Sequence, residues 1–168
     1  MKKILAFVLA ITLVSLGLSM ASSHGDAEKE EIKDYGKQPW VVDIEELTKN
    51  NQNFRTAMWT GQYLQMTVMS IPVGGEIGLE VHTNEDQFMR VEEGKARVVM
   101  GPAKDNLTFD KNVSDDWAIF IPAGVWHNVM NTGEKPLKVY TIYSPPEHPA
   151  GTVHKTFEES EADHHHHH

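Results

Sequence analysis

"LEVHTNEDQF", Leu79 to Phe88, is the stretch on which the fold turns. Its first half alternates apolar and polar side chains with the two-residue period of a β-strand. Glu80 and His82 therefore share one face, and Leu79 and Val81 the other. "TNED" supplies turn-forming residues. The strand that follows must put Gln87, Met89 and Val91 on one face and Asp86, Phe88, Arg90 and Glu92 on the opposite one. The face carrying Met89 and Val91 is the apolar one and belongs inside. Gln87, rather than its acidic neighbours, is expected to join Glu80 and His82 there, while Phe88 points outward.

The text on either side continues in the same manner. From Phe54 onward, short alternating runs such as "FRTAMWT", "QYLQMTVMSI", "ARVVM", "WAIFI" and "LKVYTIY" are broken by glycine, proline or asparagine, and no long helical period competes with them. Many short strands with regular turns predict an all-β barrel or sandwich. Ahead of them, "DIEELTKN" predicts one short helix, with Asp43 as N-cap and Glu46 at the capping-box spacing. Residues 22–37 are polar and read as an arm.

"IPAGVWHNVMN" adds a second polar element. After its proline and glycine turn, Val125, His127, Val129 and Asn131 share a strand face. A histidine between two valines on a buried face needs a partner, because an unsatisfied buried polar group costs about 1–3 kcal/mol.

At these residues the sequence resembles the cupin superfamily. The first cupin motif, G-x5-H-x-H-x4-E-x6-G, is matched in spacing by Gly74, Glu80, His82, Gln87 and Gly94, and the second, G-x5-P-x-G-x2-H-x3-N, by Asp116, Pro122, Gly124, His127 and Asn131. Three letters differ: Glu80 replaces a histidine, Gln87 a glutamate and Asp116 a glycine. The wider text is similar to small bacterial single-domain cupins. The resemblance implies a double-stranded β-helix (jelly-roll) barrel holding one divalent metal ion per chain through Glu80, His82, Gln87 and His127. Glutamate and glutamine have exchanged places, so the donor set keeps one carboxylate, two imidazoles and an amide oxygen. Such oxygen and nitrogen donors suit Mn2+, Fe2+ or Zn2+ better than Cu(I). One ligand charge against a divalent ion leaves a positive centre that can polarise a carbonyl or anionic substrate. The implied function is a metal-dependent enzyme acting on a small oxygenated molecule, by isomerase or lyase chemistry or by iron-dependent oxygenation. A sugar-binding or other small-ligand module and a periplasmic metal carrier are the alternatives.

Other side chains carry less. Met66, Met69, Met89 and Met100 read as packing, and Trp59 and Trp126 as core or interface. Tyr140, Gln65 and Arg55 lie on strands from which they could reach the pocket. His148 and His154, in a proline-rich stretch after the barrel, are expected at the surface or at a subunit contact. The outward Phe88, with Leu79 and Val81, is expected to be covered in a homodimer.

The ends set the compartment. Lys2 and Lys3 precede an apolar run from Ile4 to Leu18, and Ser19-Met20-Ala21 offers small residues for cleavage, so residues 1–21 read as a secretory signal peptide. Roughly 15 apolar residues are fewer than the ~20 of a spanning helix. An exported, periplasmic or secreted protein is expected, free of the membrane once the signal leaves. The chain has no cysteine, so its core must stabilise it without disulfides. Residues 22–53 would form the arm and helix, 54–157 the barrel and 158–168 a tail. The tail ends in a histidine run, His164 to His168, that reads as a purification tag. The formal net charge of −9, more negative still without Lys2 and Lys3, repels nucleic acid and anionic lipid and points to a small-molecule partner.

Overall fold

The structure, a computed structural model, describes residues 33–164. The signal reading of residues 1–21, most of the arm and the last four histidines lie outside the described residues. Helix α1 (Ile44–Asn50) is followed by strands β1 (Arg55–Thr60), β2 (Gln65–Ile71), β3 (Asp86–Glu93), β4 (Lys95–Gly101) and β5 (Phe109–Ser114). Then come β6 (Ala118–Ile121), β7 (Trp126–Asn131), β8 (Leu137–Ser144), β9 (Val153–His154) and helix α2 (Phe157–His164). The strands form two antiparallel sheets, ordered β6-β3-β8-β2-β1-β9 and β5-β4-β7; the architecture is all-β, as the strand pattern anticipated, and is the jelly-roll that the resemblance implied. None of the described helices is long and apolar enough to cross a membrane.

Strand parity divides the interior into an apolar and a polar layer. Met69 and Ile71 of β2, Met89 and Val91 of β3, and Leu137 and Val139 of β8 face Val98 and Val129 of the smaller sheet, all but fully buried. Each such side chain contributes about 1.5–3 kcal/mol through burial. The same strand faces continue into Thr67, Gln87, Thr141 and Tyr143, also buried. Hydrophobic residues thus fix the register, and the polar ones are carried inside with them.

Helix α1 begins as its sequence indicated. Asp43 accepts a hydrogen bond from the Glu46 amide at 3.0 Å. Its Ile44 and Leu47 pack with Trp40 over Met58, Met66 and Val68 on the outer face of the larger sheet. Phe88 is outward as expected, edge-to-face with Phe120 at 5.1 Å between ring centroids.

Four local expectations need correction. "EVHT" does not form a regular strand: residues 76–80 pair with β7 only through the bridges Glu76 to Met130 and Glu80 to His127. Four residue steps on one side oppose three on the other, and Gly78, at φ +92°, absorbs the extra residue as a bulge. Tyr140 turns outward against Phe88, because Val139, Thr141 and Tyr143 take the inner face of β8. His148 and His154 are buried rather than superficial. Gln65 grips the His148 backbone on both sides, donating to its carbonyl at 2.8 Å and accepting from its amide at 2.9 Å, while β9 pairs His154 with Arg55. Lastly, the stretch read as a tail winds into α2, where Phe157 meets Phe54 and Ser160 accepts from Arg55 at 2.6 Å.

Two motif residues act on the backbone. Asp116, where a glycine is usual, adopts φ +70°, a region that aspartate tolerates better than most residues. Its carboxylate also accepts from Arg90 at 2.5 Å. The Asn131 amide nitrogen lies 2.8–3.0 Å from the carbonyls of Ile71, Pro72 and Lys135, and its oxygen accepts from the Gly133 amide. Asn131→Ala is expected to destabilise the protein by about 3 kcal/mol, since one truncation orphans several buried backbone groups. Chemical unfolding measures this; a loss under about 0.5 kcal/mol, the size of an ordinary surface change, would contradict it.

Candidate metal centre

The bridge between Glu80 and His127 is the seed of the site. Each residue's amide donates to the other's carbonyl, at 3.0 and 2.9 Å, which makes them a hydrogen-bonded antiparallel pair with side chains on the same face. His82 follows two residues after Glu80, on that face again. Its carbonyl accepts from the Gly124 amide at 2.7 Å, tying the two motif segments together.

Both imidazoles are oriented through Nδ1. That of His127 lies 3.0 Å from the Val125 carbonyl, and that of His82 lies 3.2 Å from Glu147 Oε1. The Nε2 atoms are thereby left to converge on one oxygen, Glu80 Oε1, at 3.3 Å from His82 and 3.4 Å from His127. Donor atoms that share one ion at ~2.1 Å stand roughly 3.0–3.4 Å apart, so the spacing is that of a ligand set. His127 Nε2 is fully buried and forms no directed hydrogen bond. An outer carboxylate or carbonyl on each Nδ1 is the usual arrangement around metal-bound histidine.

Gln87 enters from the other sheet. On β3 it stands between Ile121 and Tyr143, and its Nε2 donates to Thr141 Oγ1 at 3.2 Å. Its Oε1 is buried with no hydrogen-bond partner, as is Thr67 Oγ1. Tyr143 stacks edge-on against His82 at 5.5 Å, and burial pushes its hydroxyl pKa up. Orphaned buried oxygens on the barrel's interior faces, together with two converging imidazoles, fit an oxygen- and nitrogen-liganded ion.

Of the residues expected to line the pocket, Glu80, His82 and His127 are brought together, and Gln87 lies on the same interior surface. Gln65 points inward, but its amide is committed to His148 and Thr60. Arg55 is buried toward α2. Glu147 and Tyr143 were not foreseen. Parity within "LKVYTIYS" could have selected Tyr143 over Tyr140. Glu147 lies beyond the last barrel strand, and no local pattern marks it.

Electrostatics bind the cluster together. Burial alone would raise the Glu80 carboxyl pKa, but the His127 and His82 imidazoles overcome this and hold it well below the usual range. For His82, burial opposes the charge, yet Glu147 and Glu80 raise its pKa from 6.5 to about 9. Without metal, His82 is therefore protonated at neutral pH. An imidazole must free Nε2 to ligate, so uptake of a divalent ion is expected to expel about one proton at neutral pH. Apparent affinity should rise with pH and flatten near pH 9. Calorimetry in buffers of different ionisation heat counts the proton; none released would contradict the assignment. The stability of the metal-free protein should run the other way. A raised folded-state pKa stabilises fully below the unfolded value of 6.5, and that contribution is lost as pH climbs through about 9.

Comparisons with known proteins bear on the family and the fold. The family model described as "Cupin domain" matches residues 67–143, a span containing all four candidate ligands. The uncharacterised protein YrkC of Bacillus subtilis is 54% identical over 143 residues, covering 85% of this chain and 76% of that protein. The uncharacterised protein L612 of Acanthamoeba polyphaga mimivirus is 37% identical over 118 residues, 69% of this chain and 71% of that one. Among solved structures, BH2720 from Bacillus halodurans is 58% identical with a TM-score of 0.77, over 78% of this chain and 99% of that chain. By the matched domain and by its fold, the chain belongs to the cupin superfamily.

Proposed function

We propose that the protein binds one divalent ion, Mn2+, Fe2+ or Zn2+, through Glu80, His82, His127 and the amide oxygen of Gln87, and acts as a metal-dependent enzyme on a small oxygenated molecule. The carrying observation is the pair of imidazoles, each anchored at Nδ1, whose Nε2 atoms meet at Glu80 Oε1. When bound, the ion supplies a Lewis acid for a carbonyl or oxyanion or, as iron, a centre for oxygen chemistry. The chain does the rest. Glu80 offsets one of the two positive charges, Glu147 holds the His82 ring, and the Tyr143 hydroxyl offers a buried donor beside it. Burial of both histidines, at 7% and 0% exposure, favours a retained ion over a cargo.

Deuterium exchange next to the carbonyl of simple oxo acids, followed by NMR alongside oxygen uptake, tests the reading on metal-loaded protein. Exchange without oxygen uptake supports isomerase or lyase chemistry, and uptake confined to the iron form supports oxygenation. Neither, over a broad panel, would leave a binding module.

Export and dimerisation belong to the same proposal. Residues 1–21 support the first. Phe120, 72% exposed beside Phe88, supports a homodimer across the outer face of the larger sheet. Sedimentation at micromolar concentration that shows a monomer would refute the dimer.

A further inference from the structure

Arg55 is a buried charge, 1% exposed, and no ion pair among the described residues includes it. Its Nη1 donates to Ser160 Oγ at 2.6 Å, and its Cζ lies 5.6 Å from the centre of the Phe54 ring. Its Nε is buried without a hydrogen-bond partner. A charge taken out of water without a counter-ion is among the most costly arrangements a fold can hold, so buried charges are normally paired.

The guanidinium belongs to the interior that contains the metal centre. Arg55 pairs in register with Met69 of β2 and His154 of β9, and Met69 is part of the core, so all three side chains share the inner face. From His154 a run of rings leads to the centre: His154 to His148 at 6.5 Å, His148 to Tyr143 at 5.2 Å and Tyr143 to His82 at 5.5 Å between centroids. Helix α2 links the opposite wall. It gives Ser160 to Arg55 and sets Phe157 and Glu161 beside Gly78, two residues before Glu80. Burial raises the Glu80 carboxyl pKa and the two imidazoles lower it further than that, with Arg55 adding to the lowering, so the Arg55 and Glu80 charges act on one another. Thr67 Oγ1, Gln87 Oε1 and His154 Nδ1 are buried on the same inner faces, likewise without hydrogen-bond partners. Buried polar atoms left open in this way mark where water or a ligand belongs.

We propose that Arg55 is a ligand-binding residue that pairs with the carboxylate of a small hydroxy or oxo acid, whose second oxygen reaches the metal centre. The inference rests on the metal-site reading above and narrows its small oxygenated molecule to an acid. In the metal-free chain Glu80 helps to balance Arg55. A divalent ion claims Glu80, and Arg55 is then a buried cation near a centre that is itself positive. A carboxylate supplies the missing charge, and the planar donors of a guanidinium match its two oxygens. A neutral polyol supplies none. Glu80 and Glu147, whose side chains are 17% and 22% exposed, mark where solvent comes nearest the centre.

The test measures binding of glycolate and of ethylene glycol to the full metal-loaded chain by calorimetry, for the wild type and for Arg55→Gln. The probes share a hydroxyl and differ in the carboxylate. Glycolate is expected to bind the wild type at least about tenfold tighter than ethylene glycol does, and Arg55→Gln to weaken glycolate at least about tenfold while metal content stays unchanged. Arg55→Lys, which keeps the charge and loses the paired donors, should fall between them. A glycolate affinity for Arg55→Gln within about threefold of wild type overturns the proposal, because the carboxylate then binds the ion alone. Inorganic phosphate bound more tightly than glycolate also overturns it. Should the variants fail to fold, the Arg55 Nε–H resonance of the wild type decides: glycolate is expected to shift it and ethylene glycol to leave it in place, and no shift with glycolate overturns the assignment. Metal content measured on the same samples separates the two readings. Protein that holds no ion removes the metal assignment, and the response of the Arg55 resonance to glycolate in that metal-free protein still confirms or overturns Arg55 as the carboxylate's partner.

Discussion

His127→Ala is expected to abolish high-affinity metal binding and to destabilise the metal-free protein by about 2–4 kcal/mol. Two losses coincide at this residue. Its Nε2 is one of three donor atoms that converge at the site, and its ring, fully buried, fills the space beside Val125, Val129 and Met100. Loss of an outer-shell partner lowers metal affinity about 10–100-fold, so removal of a ligand should exceed about a hundredfold. Competition against a metal-sensitive dye and thermal melting measure the two effects separately. An affinity within about tenfold of wild type would show that His127 is a structural residue.

The exchanged pair Glu80 and Gln87 should give the next largest effect. Glu80→Gln removes the one carboxylate from a site that must offset two charges, and is expected to cost about a hundredfold or more in affinity. Gln87→Glu adds a second carboxylate and should tighten binding about tenfold. Combining both substitutions moves the carboxylate to the position usual in the motif and should recover most of the affinity lost in Glu80→Gln. The metal-free variants behave differently. Gln87→Glu then buries a carboxylate where Thr141 is the one polar partner, so its melting point should fall without metal and recover with it. Loss of both stability and metal affinity would mean that the Gln87 oxygen does not reach the ion.

These residues were legible because strand parity is a hard constraint. Once Met89 and Val91 must be inside, Gln87 is inside, and the same logic placed His127 beside Val129 and turned Phe88 outward. The Asp43 cap was equally local. Parity fails where the strand does: the bulge at Gly78 interrupts the "EVHT" pairing, although Glu80 and His82 still share a face. Long-range contacts left no mark in the sequence. Glu147 meets His82 only because Gln65 pins the chain at His148, and α2 forms over Arg55 and Phe54, roughly a hundred residues earlier in the chain. Asp116 is different again. Its letter departs from the motif, yet its left-handed backbone performs the task of the usual glycine.

The most direct test is elemental analysis of protein purified without its histidine run and gently reconstituted, with Glu80→Gln treated in parallel. The account predicts close to one Mn2+, Fe2+ or Zn2+ per wild-type chain and a strong reduction in the variant. Wild-type protein that folds normally and retains no divalent ion would contradict it.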